Sequence, residues 1–173
     1  MNLFRPIINL YYRYIASPIK YARHIGVKIG RNCFVDTRNW SSEPYLIEIC
    51  DNVQITQDVY FHTHGGCHVV RKKYPKFDVF GKIKVEDWAY VGSGSHIMPG
   101  VTIGSGSLIA AGSVVTKSVP PSELWGGVPA KFICTIDDYT NKNINNNLDS
   151  KGLNFDEKKQ LLLSLNEEKF IKK

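Results

Sequence analysis

Two histidines stand two residues apart in FHTHGG, residues 61–66. An imidazole with its ordinary pKa of about 6.5 can take the proton from a hydroxyl or amine as that group attacks an electrophile. A base so placed typically contributes about 10²–10⁴-fold in rate. His64 is the candidate base, because Gly65 and Gly66 behind it let a ligand approach the backbone closely. His62 would share a face with His64 on an extended strand, which makes it the competitor. Against both stands the plain alternative of a packed or solvated histidine. His24, His68 and His96 read as structural or surface residues. No serine or cysteine has a base at an identifiable spacing, so no covalent nucleophile is expected. A metal centre would need histidines from several coils to converge on one ion. The spacing of His62, His64, His68 and His96 gives that no support, and no metal is expected.

What must position His64 is a repeat. Val85, Val91, Ile97, Ile103, Ile109 and Val115 recur every six residues, and four places after each stands Ala89, Ser95, Val101, Ser107, Ser113 or Val119. A helix would need a period near 3.6 and a paired strand a period of two. Six is the period of a parallel β-helix, in which each hexad supplies one short strand and one bend and the coils stack to bury their interior. Ordinary alternating strands in a sandwich would not hold one phase across six units. Gly92, Gly104 and Gly112 fall near the bends, where a missing Cβ relaxes the backbone limits. The same phase is present earlier, at Ile29 and Val35 and again at Ile49, Ile55 and Phe61, so residues 29–64 make about two further coils. It is lost twice. Trp40 to Pro44 reads as a small loop. Residues 65–81, with paired glycines, Pro75 and a basic cluster, read as an excursion, and a long excursion from a regular scaffold is more often functional than accidental. Pro120-Pro121 ends the regular stretch, and SELWGGVPAKFI, residues 122–133, follows as a turn and a last strand.

The stretch IAAGSVVTKSVPPSELWGGVPAK, residues 109–131, closely matches the signature IGAGSVVTKxIPxxxxxxGxPAK, and with the hexads and Thr63-His64-Gly65-Gly66 it resembles the hexapeptide-repeat acyltransferases. The resemblance implies a mainly β chain, a left-handed parallel β-helix with short N-terminal and C-terminal helices. The handedness comes from the resemblance alone, since the general preference of crossovers is right-handed. In this family three hexads make one triangular turn, and the catalytic histidine ends a coil of the form ITxxVxFxTH before an excursion, which points to His64. The common form there is Thr-His-Asp-Gly-Gly, and this chain lacks the aspartate. Carried over by position, Ser93 and Ala111 would line the pantetheine arm of acetyl-CoA, and Thr116 and Lys117, with Lys131, would meet its adenine and phosphate end. Tyr90 stands where relatives often carry a tryptophan against CoA, and Trp125 where a small residue is common. The groove lies between neighbouring subunits in the family, so a homotrimer is implied. The implied reaction is direct acetyl transfer to a sugar hydroxyl of a surface or capsular polysaccharide or its precursor. Relatives that N-acetylate nucleotide-linked amino sugars, or that acetylate antibiotics, share the coils and the histidine. Acceptor contacts would come from residues 33–40 and the excursion, with Asp36 and Asn39 as candidates. A non-enzymatic scaffold and a metal-dependent carbonic anhydrase are the rival classes.

The net charge of +6 suits an anionic ligand. The basic residues gather at the two ends and in Arg71-Lys72-Lys73 with no nucleic-acid motif among them, so no nucleic-acid partner is expected. Four cysteines lie far apart with no CxxC pair, which fits reduced, packed thiols. No segment approaches 18 apolar residues, and no signal peptide is recognisable. A cytoplasmic setting follows as the default. Residues 1–25 read as a helical segment with two uses: capping the open end of the coils, or lying on an anionic membrane surface through residues 1–20. Residues 26–135 form the β-helix domain. Residues 136–173 read as a polar linker and a C-terminal helix capped by Asn154.

Overall fold

A computed structural model describes residues 5–171, with the side chain of Arg5 outside the description. The chain divides into two compact units, residues 1–136 and 137–173. The first is a three-sided coil. Twelve short strands, β1 (Lys28–Ile29), β2 (Phe34–Val35), β3 (Asn39–Trp40), β4 (Ile47–Ile49), β5 (Gln54–Ile55), β6 (Tyr60–Phe61), β7 (Ile83–Val85), β8 (Tyr90–Val91), β9 (His96–Ile97), β10 (Thr102–Ile103), β11 (Leu108–Ile109) and β12 (Val114–Val115), are dealt in rotation to three parallel faces. Face 1 is β1-β4-β7-β10, face 2 contains β2-β5-β8-β11, and face 3 is β3-β6-β9-β12.

The register shows why a period of six suffices. Ile29, Ile49, Val85 and Ile103 form one column, Val35, Ile55, Val91 and Ile109 a second, and Trp40, Phe61, Ile97 and Val115 a third. From Ile49 upward every member of these columns is 2% exposed or less. Each aliphatic side chain therefore covers the one below it, and no coil could bury its interior alone. The small residues four places on, Ser95, Ser107 and Ser113 among them, are also buried at the bends. Their hydroxyls donate to the carbonyls of Ala110 and Pro120, which the bends would otherwise leave without partners.

Two bend glycines act differently from the simple expectation. At Gly92 and Gly104 the backbone torsion is ordinary, but an added Cβ would lie 2.5 Å from the backbone nitrogen of Ala111 or Pro121 on the next coil. Only Gly112 of the three needs a left-handed torsion, φ 69. Trp40 is likewise no loop residue. It pairs with Phe61, lies 4.8 Å from it ring to ring and nearly parallel, and is 4% exposed, so it fills an aliphatic slot that comes five residues after Val35 rather than six.

Both coil ends are covered. Helix α2 (Pro18–Ile25) starts on a proline, whose missing N–H costs nothing at that position, and seats Ile19, Ala22 and Ile25 against the first coil. Helix α1 (Arg5–Tyr14) precedes it. Beyond the double proline, where a turn and one last strand were expected, face 2 continues with two: β13 (Glu123–Gly127) pairs with β11 and folds back as an antiparallel hairpin onto β14 (Ala130–Thr135). Trp125 in this hairpin packs against the core, which gives the tryptophan a structural use.

In the second unit the asparagine-rich stretch is not all linker. Helix α3 (Ile136–Asn143) forms there, with Asp137 and Asp138 in its first turn and Lys142 in its last, signs that suit the helix dipole. Helix α4 (Phe155–Ser164) starts at Asn154, which caps the backbone N–H of Glu157 while the Glu157 carboxylate accepts from Asn154 N–H.

Candidate active site

The bend between faces 3 and 1 is where the coil departs from its repeat. On the first coil, residues 41–46 connect β3 to β4 through a 3-10 turn at Pro44–Leu46. On the second, residues 62–82 connect β6 to β7 and include the excursion. The excursion is pinned at its root. Gly65 N–H donates to Val79 O, Gly81 N–H to Thr63 O, and His64 and Phe80 face each other as an antiparallel bridge.

These two irregular connections meet side chain to side chain. His64 Nδ1 lies 2.9 Å from Glu43 Oε2, and the same oxygen accepts from Thr63 Oγ1 at 2.6 Å. Ser41 Oγ accepts the Thr63 N–H at 3.2 Å, which ties the two connections together at the backbone. Thr63 is fully buried, so it is a fixed point from which His64 projects. The Thr63 hydroxyl first, and then His64, hold the Glu43 carboxyl below its usual range. An ionised carboxylate only accepts hydrogen bonds, so Nδ1 carries the hydrogen and Nε2 keeps its lone pair. The His64 side chain is 44% exposed against 17% for Glu43. A sheltered carboxylate thus orients an accessible imidazole whose outer nitrogen can accept a proton.

His62 sits on the same outward side but in another setting. Its Nε2 is 3.0 Å from His96 Nδ1, and the two rings stack, with Tyr60 stacked on His96 in turn. Burial first, and then His96 and His64, push the His62 pKa down. His62 is a packed histidine whose Nε2 is already engaged by His96. His96 belongs to the same stack, and His24 is tied to Asn9 on α1 at 2.9 Å. Among the described residues no group of three or more His, Cys, Asp or Glu is placed to hold a metal ion.

Apart from Tyr90 and Asn39, the other sequence candidates fall into two groups on opposite edges of face 3. Asp36, Ser93 and Ala111 share the bend between faces 2 and 3, where Asp36, Thr56 and Gly92 each donate an N–H to the strand above. Lys131 is at the same end of that bend, because it pairs with Gly126, whose Cβ position lies 2.9 Å from Ala110 Cβ. Thr116 and Lys117 lie instead on the bend that carries His64, above Met98 in the stack. Tyr90 is on the outer surface of face 2, between Gln54 and Leu108. Asn39 begins β3 beside Tyr60 and, with Asp36, Gln57 and Asp58, lines a depression that His64 does not reach. Glu43 was missed by reading the sequence alone. The signal for it is that it precedes His64 by about one coil, so a carboxylate at that distance faces the histidine across the stack.

The coil is a left-handed parallel β-helix of hexads, the architecture of transferases that move acyl groups from CoA thioesters. Its residues 82–117 match the family model described as bacterial transferase hexapeptide, six repeats. Over 146 residues the chain is 45% identical to the protein CapG of Staphylococcus aureus, spanning 82% of this chain and 85% of that protein. It is 33% identical to the galactoside O-acetyltransferase of Escherichia coli K12 over 72% of its own length, but spans only 62% of that relative. A crystal structure of a hexapeptide-repeat acetyltransferase from Vibrio cholerae O1 biovar eltor, complexed with acetyl coenzyme A, superposes with a TM-score of 0.56 at 25% identity, covering 75% of this chain and 84% of that one. The chain belongs to the hexapeptide-repeat acetyltransferase family.

Proposed function

We propose that the protein is an acetyl-CoA-dependent O-acetyltransferase that acetylates a sugar hydroxyl of a surface or capsular polysaccharide or its precursor. The observation that carries the reading is the Glu43–His64 pair at the root of the excursion. His64 Nε2 takes the proton of the acceptor hydroxyl as its oxygen attacks the thioester carbonyl carbon. Backbone N–H groups beside the site stabilise the oxyanion that forms. The C–S bond then breaks, and the imidazolium returns its proton to the departing CoA sulfur. Transfer is direct, with both substrates bound together, and Glu43 steadies the positive charge on the ring while it exists.

The sugar acceptor is supported by the name of one relative, a galactoside O-acetyltransferase. The donor is supported by the acetyl-CoA complex of the Vibrio enzyme. The residues of this chain suit that donor. Ser93 and Ala111 are exposed on a bend where neighbouring coils present backbone groups, and Lys117 and Lys131 are exposed for phosphate. Their division between two edges of face 3 fits a groove completed by a second subunit, and so a homotrimer with three shared sites. Asp36 and Asn39 then lie on the Ser93 edge and reach the acceptor only from the neighbouring subunit.

The test is thiol release from acetyl-CoA with a panel of sugars and oligosaccharides, comparing His64→Ala with His62→Ala. His64→Ala is expected to lose about 10²–10⁴-fold in kcat, and His62→Ala to keep most of it. Full activity in His64→Ala would remove the assignment.

A further inference from the structure

Helix α1 is amphipathic the wrong way round for a soluble chain. Its polar side is the side held to the protein. His24 on α2 bonds Asn9 and stacks on Tyr12 at 3.9 Å, and Arg38 donates to the carbonyls of Tyr12 and Ala16. The opposite side carries Ile7, Ile8, Leu10, Tyr11 and Tyr14, contiguous over about 160° of the helix circumference, and Ile15 follows in the next turn. These side chains are 65%, 46%, 61%, 45%, 66% and 75% exposed. Single exposed apolar residues need no explanation, whereas six in one stripe mark a surface that meets something.

The charge pattern says what. Residues 1–35 contain Arg5, Arg13, Lys20, Arg23, Lys28 and Arg31 and no Asp or Glu. The whole chain has a net charge of +6, so this first fifth of the sequence holds all of it and the remainder is neutral. Arg13 lies over the Tyr14 ring at 5.5 Å, at the border of the apolar stripe. A second copy of the same stripe would bring like charges together. An anionic lipid surface would instead take the apolar side chains between its headgroups and pair the basic ones with phosphates. Ten residues make a helix of about 15 Å, too short to cross a bilayer, and no helix among the described residues is long and apolar enough to do so.

We infer that α1 is a peripheral membrane anchor, which lays its Ile7–Leu10–Tyr14 stripe in the interface of an anionic bilayer with the exposed Arg13 and Lys20 against the headgroups. The surface is separate from His64, so this inference stands or falls independently of the proposed reaction.

The experiment is cosedimentation of the full chain with vesicles of phosphatidylcholine alone and of equal parts phosphatidylcholine and phosphatidylglycerol, at low and high salt. Wild-type protein is expected to bind the phosphatidylglycerol vesicles, more weakly as salt rises, and to ignore the neutral ones. Ile7→Ser with Leu10→Ser and Tyr14→Ser should lower the partition at least about tenfold, and Arg13→Glu with Lys20→Glu should abolish the salt-sensitive part. All positions in the serine variant are exposed, so its denaturation midpoint should match wild type. The inference is overturned if wild type does not sediment with anionic vesicles, or if the serine variant binds as well as wild type. It is equally overturned if the serine variant changes the mass found by sedimentation equilibrium, since the stripe then belongs to an interface between copies.

Discussion

The contact between Glu43 and His64 makes the most demanding prediction. His64 Nδ1 has two acceptors in reach, Glu43 Oε2 at 2.9 Å and Ser42 Oγ at 3.5 Å, the second at the limit of a hydrogen bond. Otherwise the ring meets Phe80 edge-on at 6.4 Å, a contact too loose to fix its rotation. In Glu43→Gln an amide oxygen can still accept from Nδ1, so the ring stays oriented but the negative charge is gone. In Glu43→Ala both are lost, and the ring is free to turn or to change tautomer. The expected order of kcat is therefore Glu, then Gln lower by about tenfold, then Ala lower by about a hundredfold or more, toward the full contribution of a general base. KM for acetyl-CoA should stay level, since the residues proposed for the donor lie on later coils than Glu43. A companion variant tests the cause of the depressed carboxyl pKa. The Thr63 hydroxyl is the first contributor to it, so in Thr63→Val the carboxyl should protonate at higher pH than in wild type. Wild type keeps the Glu43 carboxylate charged until the pH falls through the lowered value, and the variant should lose that charge, and with it the ring's orienting partner, at a higher pH. The assay is thiol release as a function of pH for the four proteins. Should Glu43→Ala retain kcat within twofold of wild type, the pair is a surface contact and the reasoning fails.

Two further outcomes concern the scaffold. His62 is held below its ordinary pKa by burial first and by its histidine neighbours second, so below about pH 6.5 the unfolded chain binds a proton that the folded one refuses, and stability should fall with pH until folded His62 itself titrates. Denaturant midpoints should show this acid loss in wild type and less of it in His62→Gln. Gly92→Ala should destabilise more than Gly112→Ala. The first puts a Cβ 2.5 Å from a backbone nitrogen that cannot yield, whereas the second meets nothing within 4 Å and costs only the strain of its φ, about 1–2 kcal/mol. Equal melting midpoints would show that the coils can spread to admit a methyl group.

The coil was legible because one residue type answers one geometric demand at every sixth place. Ile97 must be aliphatic, since Phe61 lies below it and Val115 above, and the same holds in each column. The candidate base, His64, was legible only in part. Its place after Phe61, beside Gly65 and Gly66 and before a break in phase, marks it, while the stack with His96 that engages His62 joins residues more than a coil apart and shows in no local pattern. Trp40 and Glu43 were hidden by a slip of phase. Val35 to Trp40 is five residues and Trp40 to Ile49 is nine, so the third column opens on an aromatic residue where a hexad count expects nothing. After Pro121 a turn and a last strand were legible, but not that the segment makes two strands, the second folded back on the first. Helix α3 was hidden by composition, since its polar residues carry no apolar stripe.

The two slips of phase have one consequence for the chemistry. A regular stack presents the same bend on every coil, with small buried residues and short turns, and offers no place for a reacting group. This chain breaks the rule twice, in the connection after β3 and in the connection after β6, and both breaks fall on the bend between faces 3 and 1 of successive coils. The nine-residue step from Trp40 to Ile49 brings Glu43 out, and the twenty-four-residue step from Phe61 to Val85 brings out His64 and the excursion above it. Because parallel coils stack in fixed register, two breaks on one bend place their side chains within hydrogen-bonding distance without any long-range loop having to find its partner. The rigid columns on either side supply the precision that a base and its orienting carboxylate require. Shortening the first connection to the regular six residues, while leaving His64 and the excursion untouched, should therefore leave the coil folded and the imidazole without its partner. In thiol release such a protein should behave like Glu43→Ala, and wild-type turnover from it would show that the pairing of the two breaks is incidental.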